Sequence, residues 1–143
     1  MSKTLISIII PTYKRNQKLK KVFDNLVKQC PFKIKIEVII VSDIFKKFVP
    51  NLKSLIKKKN IELKIIKVSK NSNAIKRNKG IQNAKGKYLI LIDDDCLPAK
   101  NFLKDYLELL NQLKDNEILC GSVRYLDPKV KKENFMRYRQ SRH

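Results

Sequence analysis

The chain of 143 residues is long enough for one domain with its own core, and a hydrophobic content of 43% excludes a disordered or fibrous protein. Lys and Arg number 33 against 13 Asp and Glu, a net charge of +20, which excludes an acidic calcium buffer and favours anionic partners. Only 6 of the 33 are Arg, the residue best shaped for bidentate phosphate and base recognition, so most of this charge reads as lysine decoration of solvated faces.

Short Ile/Val/Leu runs alternate with segments of helical period. Leu5 to Ile10 is a continuous apolar run ended by Pro11, the pattern of a strand buried on both faces. Lys18 to Gln29 places Leu19, Val22, Phe23, Leu26 and Val27 on one helical stripe. Ile36 to Val41 predicts the second strand. Ile44 to Lys58 predicts a helix interrupted at Pro50, and Ile61 to Val68 the third strand. Ser72 to Ala84 predicts a helix with Ala74, Ile75, Ile81 and Ala84 inward and Gly86 beyond its end. Lys87 to Ile92 follows as a strand. Asn101 to Leu113 follows as a helix with Phe102, Leu103, Tyr106, Leu107 and Leu110 on its stripe, and Ile118 to Val123 as a fifth strand. This βαβαβαβαβ order predicts an α/β fold: a mostly parallel sheet with helices on both faces. Residues 1–126 form the expected domain, and residues 127–143 a charged tail.

Cys30, Cys96 and Cys120 form no CxxC pair, which argues against a zinc ribbon and for a reducing compartment. Cys30 and Cys120 adjoin apolar runs and are expected to be buried. His143 is the single histidine, so Ser-His-Asp, Cys-His and multi-His metal sites are excluded together. The apolar run at the N-terminus is too short for a signal peptide, and no stretch reaches membrane-spanning length.

Ligands of open parallel sheets bind beyond the carboxyl ends of the strands. The residues expected at that rim are Pro11, Thr12 and Tyr13 after the first strand, and Ser42 and Asp43 after the second. Asn71 to Asn73, with Arg77 and Asn78, follow the third, and Asp93, Asp94 and Asp95 the fourth. Three adjacent carboxylates at the end of a buried strand repel one another unless a cation or donor compensates, and hard oxygen ligands suit Mg²⁺ or Mn²⁺. The triplet admits a second reading, as turn and helix-capping acids. Asp43 reads either as a helix cap or as an acceptor for a base or ribose. Tyr13 reads as a stacking surface or as rim packing, and Arg77 as an anion contact at a helix N-terminus or as a solvated residue. With glycine only at Gly80, Gly86 and Gly121, neither GxGxxG nor GxxxxGK[ST] is present.

Four stretches, Ser7 to Arg15, Glu37 to Asp43, Asn71 to Gly80 and Gly86 to Asp95 with Pro98, together resemble the family 2 glycosyltransferases of GT-A fold. The family transfers a sugar from a nucleotide-diphosphate donor to a glycan or lipid-linked acceptor. The resemblance implies that Pro11, Thr12 and Tyr13 line the donor pocket, that Asp43 and Arg77 contact the base, and that Asp93, Asp94 and Asp95 form the DxD element. It implies Asp95, with Asp93, as ligands of Mn²⁺ or Mg²⁺. No catalytic base is assigned; Asp127 and Glu133 are the acids of the tail. The chain is short for the resemblance, which predicts a donor-binding half that holds donor without turnover. The excess of cations, with the reducing compartment read from the cysteines, predicts a cytoplasmic protein peripheral to an anionic inner membrane face. Two rival readings are a basic nucleic-acid-binding module and a metal-dependent phosphotransferase; nucleic acid is not the expected partner, because no recognised binding motif is present.

Overall fold

The structure is a computed structural model that describes residues 6–31, 34–42, 52–54, 56, 60–114 and 116–124. The chain divides into two units, Met1–Gln112 and Leu113–His143. The first holds β1 (Ile6–Thr12), α1 (Asn16–Gln29), β2 (Ile36–Ser42), β3 (Ile61–Lys67), α2 (Asn73–Gln82), β4 (Tyr88–Leu91) and α3 (Phe102–Leu110). The strands form one parallel sheet in the order β3-β2-β1-β4. The α/β architecture expected from the alternating pattern is therefore present.

Both central strands are buried along their full length, which is why they read as unbroken apolar runs. Connections between parallel strands are right-handed, so α1, leading outward from β1 to β2, and α2, returning from β3 to β4, lie on opposite faces. The stripe of α1 is buried as expected, at Leu19, Val22, Phe23, Leu26 and Val27. The Gln29 side chain ties the end of α1 to the start of α3, donating to the Ala99 carbonyl at 2.7 Å and accepting from the Leu103 amide at 3.1 Å.

On the other face α2 lies against β1 and β2. Gly80 makes that approach possible, since a Cβ there would overlap the Ile9 side chain. This corrects the expected inward face of α2. Ala74, Ile75 and Ile81 are exposed and the buried residues are Lys76 and Gly80, while Ala84, just past the helix, packs on the core of Ile9, Ile39, Val41 and Val68 as expected. A helix this close to a sheet leaves no room for a large apolar side chain between them.

β1 runs through Pro11 rather than ending at it. Ile9 directs its carbonyl to the Ile92 amide at 3.1 Å, on the β4 side. Pro11, two residues on, faces the same side, but pairing with β4 ends at Ile9 and Leu91. Its missing N–H therefore removes no ladder bond.

At the opposite end of the sheet, Ser7 Oγ donates to Glu37 Oε2 at 2.6 Å, and that oxygen also accepts from the Lys85 amide at 2.9 Å. Ser7 Oγ accepts from the Gly86 amide at 2.9 Å, and a Cβ on Gly86 would fall 2.7 Å from the Ile6 carbonyl carbon. This polar knot fixes where β4 enters the sheet.

In the second unit, residues 116–124 form no strand, which corrects the expected fifth strand at 118–123. An apolar run becomes a strand only where it gains a ladder and a buried face, and Ile118 is 88% exposed. Cys120 is exposed, not buried as expected, whereas Cys30 is buried. Leu52–Ser54 is helical; the remainder of the helix expected over residues 44–58 falls largely outside the described residues, as do Asp43 and the tail from residue 125. Among the described residues no helix is long and apolar enough to cross a membrane.

Candidate functional site

β1 has β2 on one side and β4 on the other, so the strand order reverses at β1. The carboxyl ends of β1 and β4 form the switch point where parallel sheets open a crevice. Thr12 and Asp94 meet there. Thr12 Oγ1 donates to Asp94 Oδ2 at 2.6 Å, and both residues are buried. Lys14 then takes a left-handed φ of 51°, which turns the chain back at the lip of the crevice. Arg15 Nη1 donates to Asp95 Oδ2 at 2.6 Å and to Asp94 Oδ1 at 3.3 Å. Lys18 Nζ stands 3.9 Å from Asp95.

The third side is the first turns of α2. The Ser72 side chain caps the helix, accepting from the Ile75 amide at 3.4 Å. Lys76 is fully buried, and its Nζ donates to the Thr12 carbonyl at 2.9 Å and to Asn71 Oδ1 at 2.8 Å. The same Nζ lies 5.2 Å from the centre of the Tyr13 ring, and Lys14 Nζ lies 5.1 Å from it. Arg77 Nη2 donates to Asp93 Oδ1 at 2.6 Å. Adjacent residues of α2 thus reach the ends of β1 and β4 separately.

Of the residues singled out in the sequence, Thr12, Tyr13, Arg77, Asp93, Asp94 and Asp95 come together around this crevice, with Pro11 at its base; Asp43 lies outside the described residues. Sequence reasoning missed Arg15 and Lys76. Arg15 was legible only as part of the stretch after the first strand. Lys76 lies four residues before Gly80, on the same helical face, and that spacing is the signal that places it against the sheet. Asp94 points inward to Thr12, while the Asp93 and Asp95 side chains are 48% and 36% exposed and face different arginines. Among the described residues, no group of three acidic, His or Cys side chains is spaced to hold a metal ion. Cys96 follows the triplet. Burial and then the nearby charges of Asp93 and Asp95 push its thiol pKa up, which favours the thiol over the thiolate.

A separate cleft of about 330 Å³ lies at the end of β3, lined by Lys67, Val68, Ser69, Lys70, Ile75 and Lys79. It contains none of the carboxylates. The opposite charges converge instead in the crevice, from three elements.

The model of "Glycosyl transferase family 2" matches residues 7–142. The chain belongs to glycosyltransferase family 2. It is 32% identical over 120 residues to a dolichyl N-acetyl-α-D-glucosaminyl phosphate 3-β-D-2,3-diacetamido-2,3-dideoxy-β-D-glucuronosyltransferase of Methanococcus voltae, covering 82% of this chain and 37% of that protein. It is 27% identical over 112 residues to the poly(ribitol-phosphate) β-N-acetylglucosaminyltransferase TarP of Staphylococcus aureus, covering 78% of this chain and 33% of that protein. The fold matches S. aureus TarS residues 1–349, solved in complex with UDP-GlcNAc, at a TM-score of 0.64 and 20% identity over 83% of this chain and 38% of that one. It also matches the mannosyltransferase PcManGT of Pyrobaculum calidifontis, solved in complex with GDP-Man and Mn²⁺, at a TM-score of 0.61 and 22% identity over 77% of this chain and 33% of that one. The chain spans between a third and two fifths of the length of these relatives.

Proposed function

We propose that this chain is the donor-binding part of a glycosyltransferase that moves a sugar from a nucleotide diphosphate to a hydroxyl of a glycan or lipid-linked acceptor. The observation that carries the reading is the convergence of Thr12, Arg15, Arg77 and the Asp93–Asp95 triplet at the β1–β4 switch point. Departure of a nucleoside diphosphate develops negative charge, which fixed cationic donors stabilise. Arg15, Lys18 and Arg77 supply positive charge at the same rim, and Tyr13, 36% exposed, offers a ring face for a base.

The partly exposed carboxylate oxygens of Asp93 and Asp95 are hard donors of the kind a divalent cation takes, but each is bonded to an arginine, so a cation would have to displace Arg77 and Arg15 from them. Mg²⁺ and Mn²⁺ are held by one or two such carboxylates with water and phosphate oxygens completing the shell. Asp95, with Asp93, would hold the ion, which when bound acts as a Lewis acid on the diphosphate. Asp94 is committed to Thr12 and serves to position the turn. The protein's contribution is then to orient the diphosphate against Arg15 and Arg77 and to seat the base beside Tyr13.

Calorimetric titration with UDP, GDP, UDP-GlcNAc and GDP-mannose, with and without Mn²⁺, tests this reading. The expected result is saturable binding of at least one nucleotide, strengthened by Mn²⁺ and losing that Mn²⁺ dependence in Asp95→Ala. Absence of binding by the folded chain, or binding indifferent to Asp95→Ala, overturns it.

A further inference from the structure

We propose that Lys76 is the positioning residue of the crevice, latching the β1–α1 turn to the β3–α2 turn so that Thr12 and Tyr13 are set before a nucleotide arrives. The inference rests on the donor-binding reading for its functional consequence, but its structural basis is independent of it. One nitrogen bonds the Thr12 carbonyl at 2.9 Å and the Asn71 side-chain oxygen at 2.8 Å, bridging positions 59 residues apart in the sequence. Burying a lysine completely is costly unless its donors are used, and these partners take two of the three.

The latch belongs to a closed circuit. Lys76 holds the Thr12 backbone, the Thr12 hydroxyl holds Asp94, and Asp93, next to Asp94, holds Arg77, next to Lys76. Each link constrains the other two, so β1, β4 and α2 meet in one arrangement. The Tyr13 ring, one residue past the latched carbonyl, is held 5.2 Å from Nζ. A pocket fixed in advance loses less entropy on binding, which is how a residue that touches no ligand raises affinity. Gly80 supports the device by letting α2 come close enough for a lysine one turn earlier to reach over the end of β1.

The test compares Lys76→Met, which keeps the length and removes the donors, with Ser7→Ala, which breaks the polar knot at the far end of the sheet. Two readouts are taken well below each variant's melting temperature: amide hydrogen exchange, and UDP and GDP affinity by calorimetry. The expected result is faster exchange confined to residues 12–15 and 70–75 in Lys76→Met, with nucleotide affinity at least about tenfold weaker. Ser7→Ala should leave both unchanged. Wild-type affinity in Lys76→Met, or exchange in those turns no faster than in Ser7→Ala, overturns the inference. If the wild-type chain binds no nucleotide while Lys76→Met loosens both turns, the latch stands and the donor-binding reading fails.

Discussion

Thr12 donates a 2.6 Å hydrogen bond to Asp94 across 82 residues of sequence, and both partners are buried. A buried carboxylate that loses a donor bears the desolvation cost alone. Arg15, at 3.3 Å, compensates only in part. Thr12→Val, close to isosteric, should therefore destabilise the fold by about 1–3 kcal/mol, whereas Thr12→Ser should stay within about 1 kcal/mol of wild type. Urea denaturation midpoints at fixed slope check this. Equal stability of the Val variant would show that Asp94 does not depend on the hydroxyl.

Gly80→Ala sets two effects against each other. Alanine improves helix propensity by about 1 kcal/mol, but its Cβ overlaps Ile9, and overpacking costs about 1–3 kcal/mol. The contact should win, giving a less stable protein. Adding Ile9→Ala should then cost less in the Gly80→Ala background than in wild type, because the two changes share one contact. A double-mutant cycle by chemical denaturation reads the sign directly.

Arg15 and Arg77 should separate binding from folding. Both ion pairs are partly exposed, so Arg15→Gln and Arg77→Gln should each change stability by less than about 1 kcal/mol. On the donor-binding reading, each should weaken nucleotide diphosphate affinity about tenfold or more, and the loss should shrink as salt rises. Thermal melts alongside calorimetry at two ionic strengths make the comparison. A large drop in melting temperature would instead assign the arginines to the fold.

Glu62 supplies the pH-dependent contribution that can be assigned. Hydrogen bonds from Lys35 and then Lys85, at 2.9 and 3.2 Å, hold its pKa below the ordinary value of 4.5. A depressed carboxylate stabilises the fold at pH above its unfolded pKa, and that stabilisation is lost as pH falls through the folded one. The group is well solvated, so the contribution is under about 1 kcal/mol. Glu62→Gln should be slightly less stable than wild type at pH 7, and the difference should vanish below about pH 3. Denaturation midpoints across pH 2.5–7 test this; a constant difference would show that packing, not charge, is responsible.

The sheet was legible because its central strands are buried on both faces, which leaves uninterrupted runs such as Ile8 to Ile10 and Val38 to Val41. The stripe of α1 was legible because it packs through ordinary apolar side chains. The helix α2 misled for a physical reason: it packs through the absence of a side chain at Gly80 and through a lysine, neither of which carries a hydrophobic signal. The rim residues were found because topology alone sends strand ends to one edge. How Asp93, Asp94 and Asp95 divide among Arg77, Thr12 and Arg15 depends on contacts 16 to 82 residues apart, which no local pattern encodes. The run at Ile118 had the composition of a strand without a ladder to join.

Pro11 stands where β1 and β4 part company, and it cannot offer the proton that would zip them further. The backbone at the fork therefore has no donor with which to extend the ladder, whatever side chains line it. On the donor-binding reading, substitutions at Tyr13, Arg15 or Arg77 would retune what the crevice prefers while leaving that backbone unchanged. A single imino acid separates the evolution of selectivity from the upkeep of the opening.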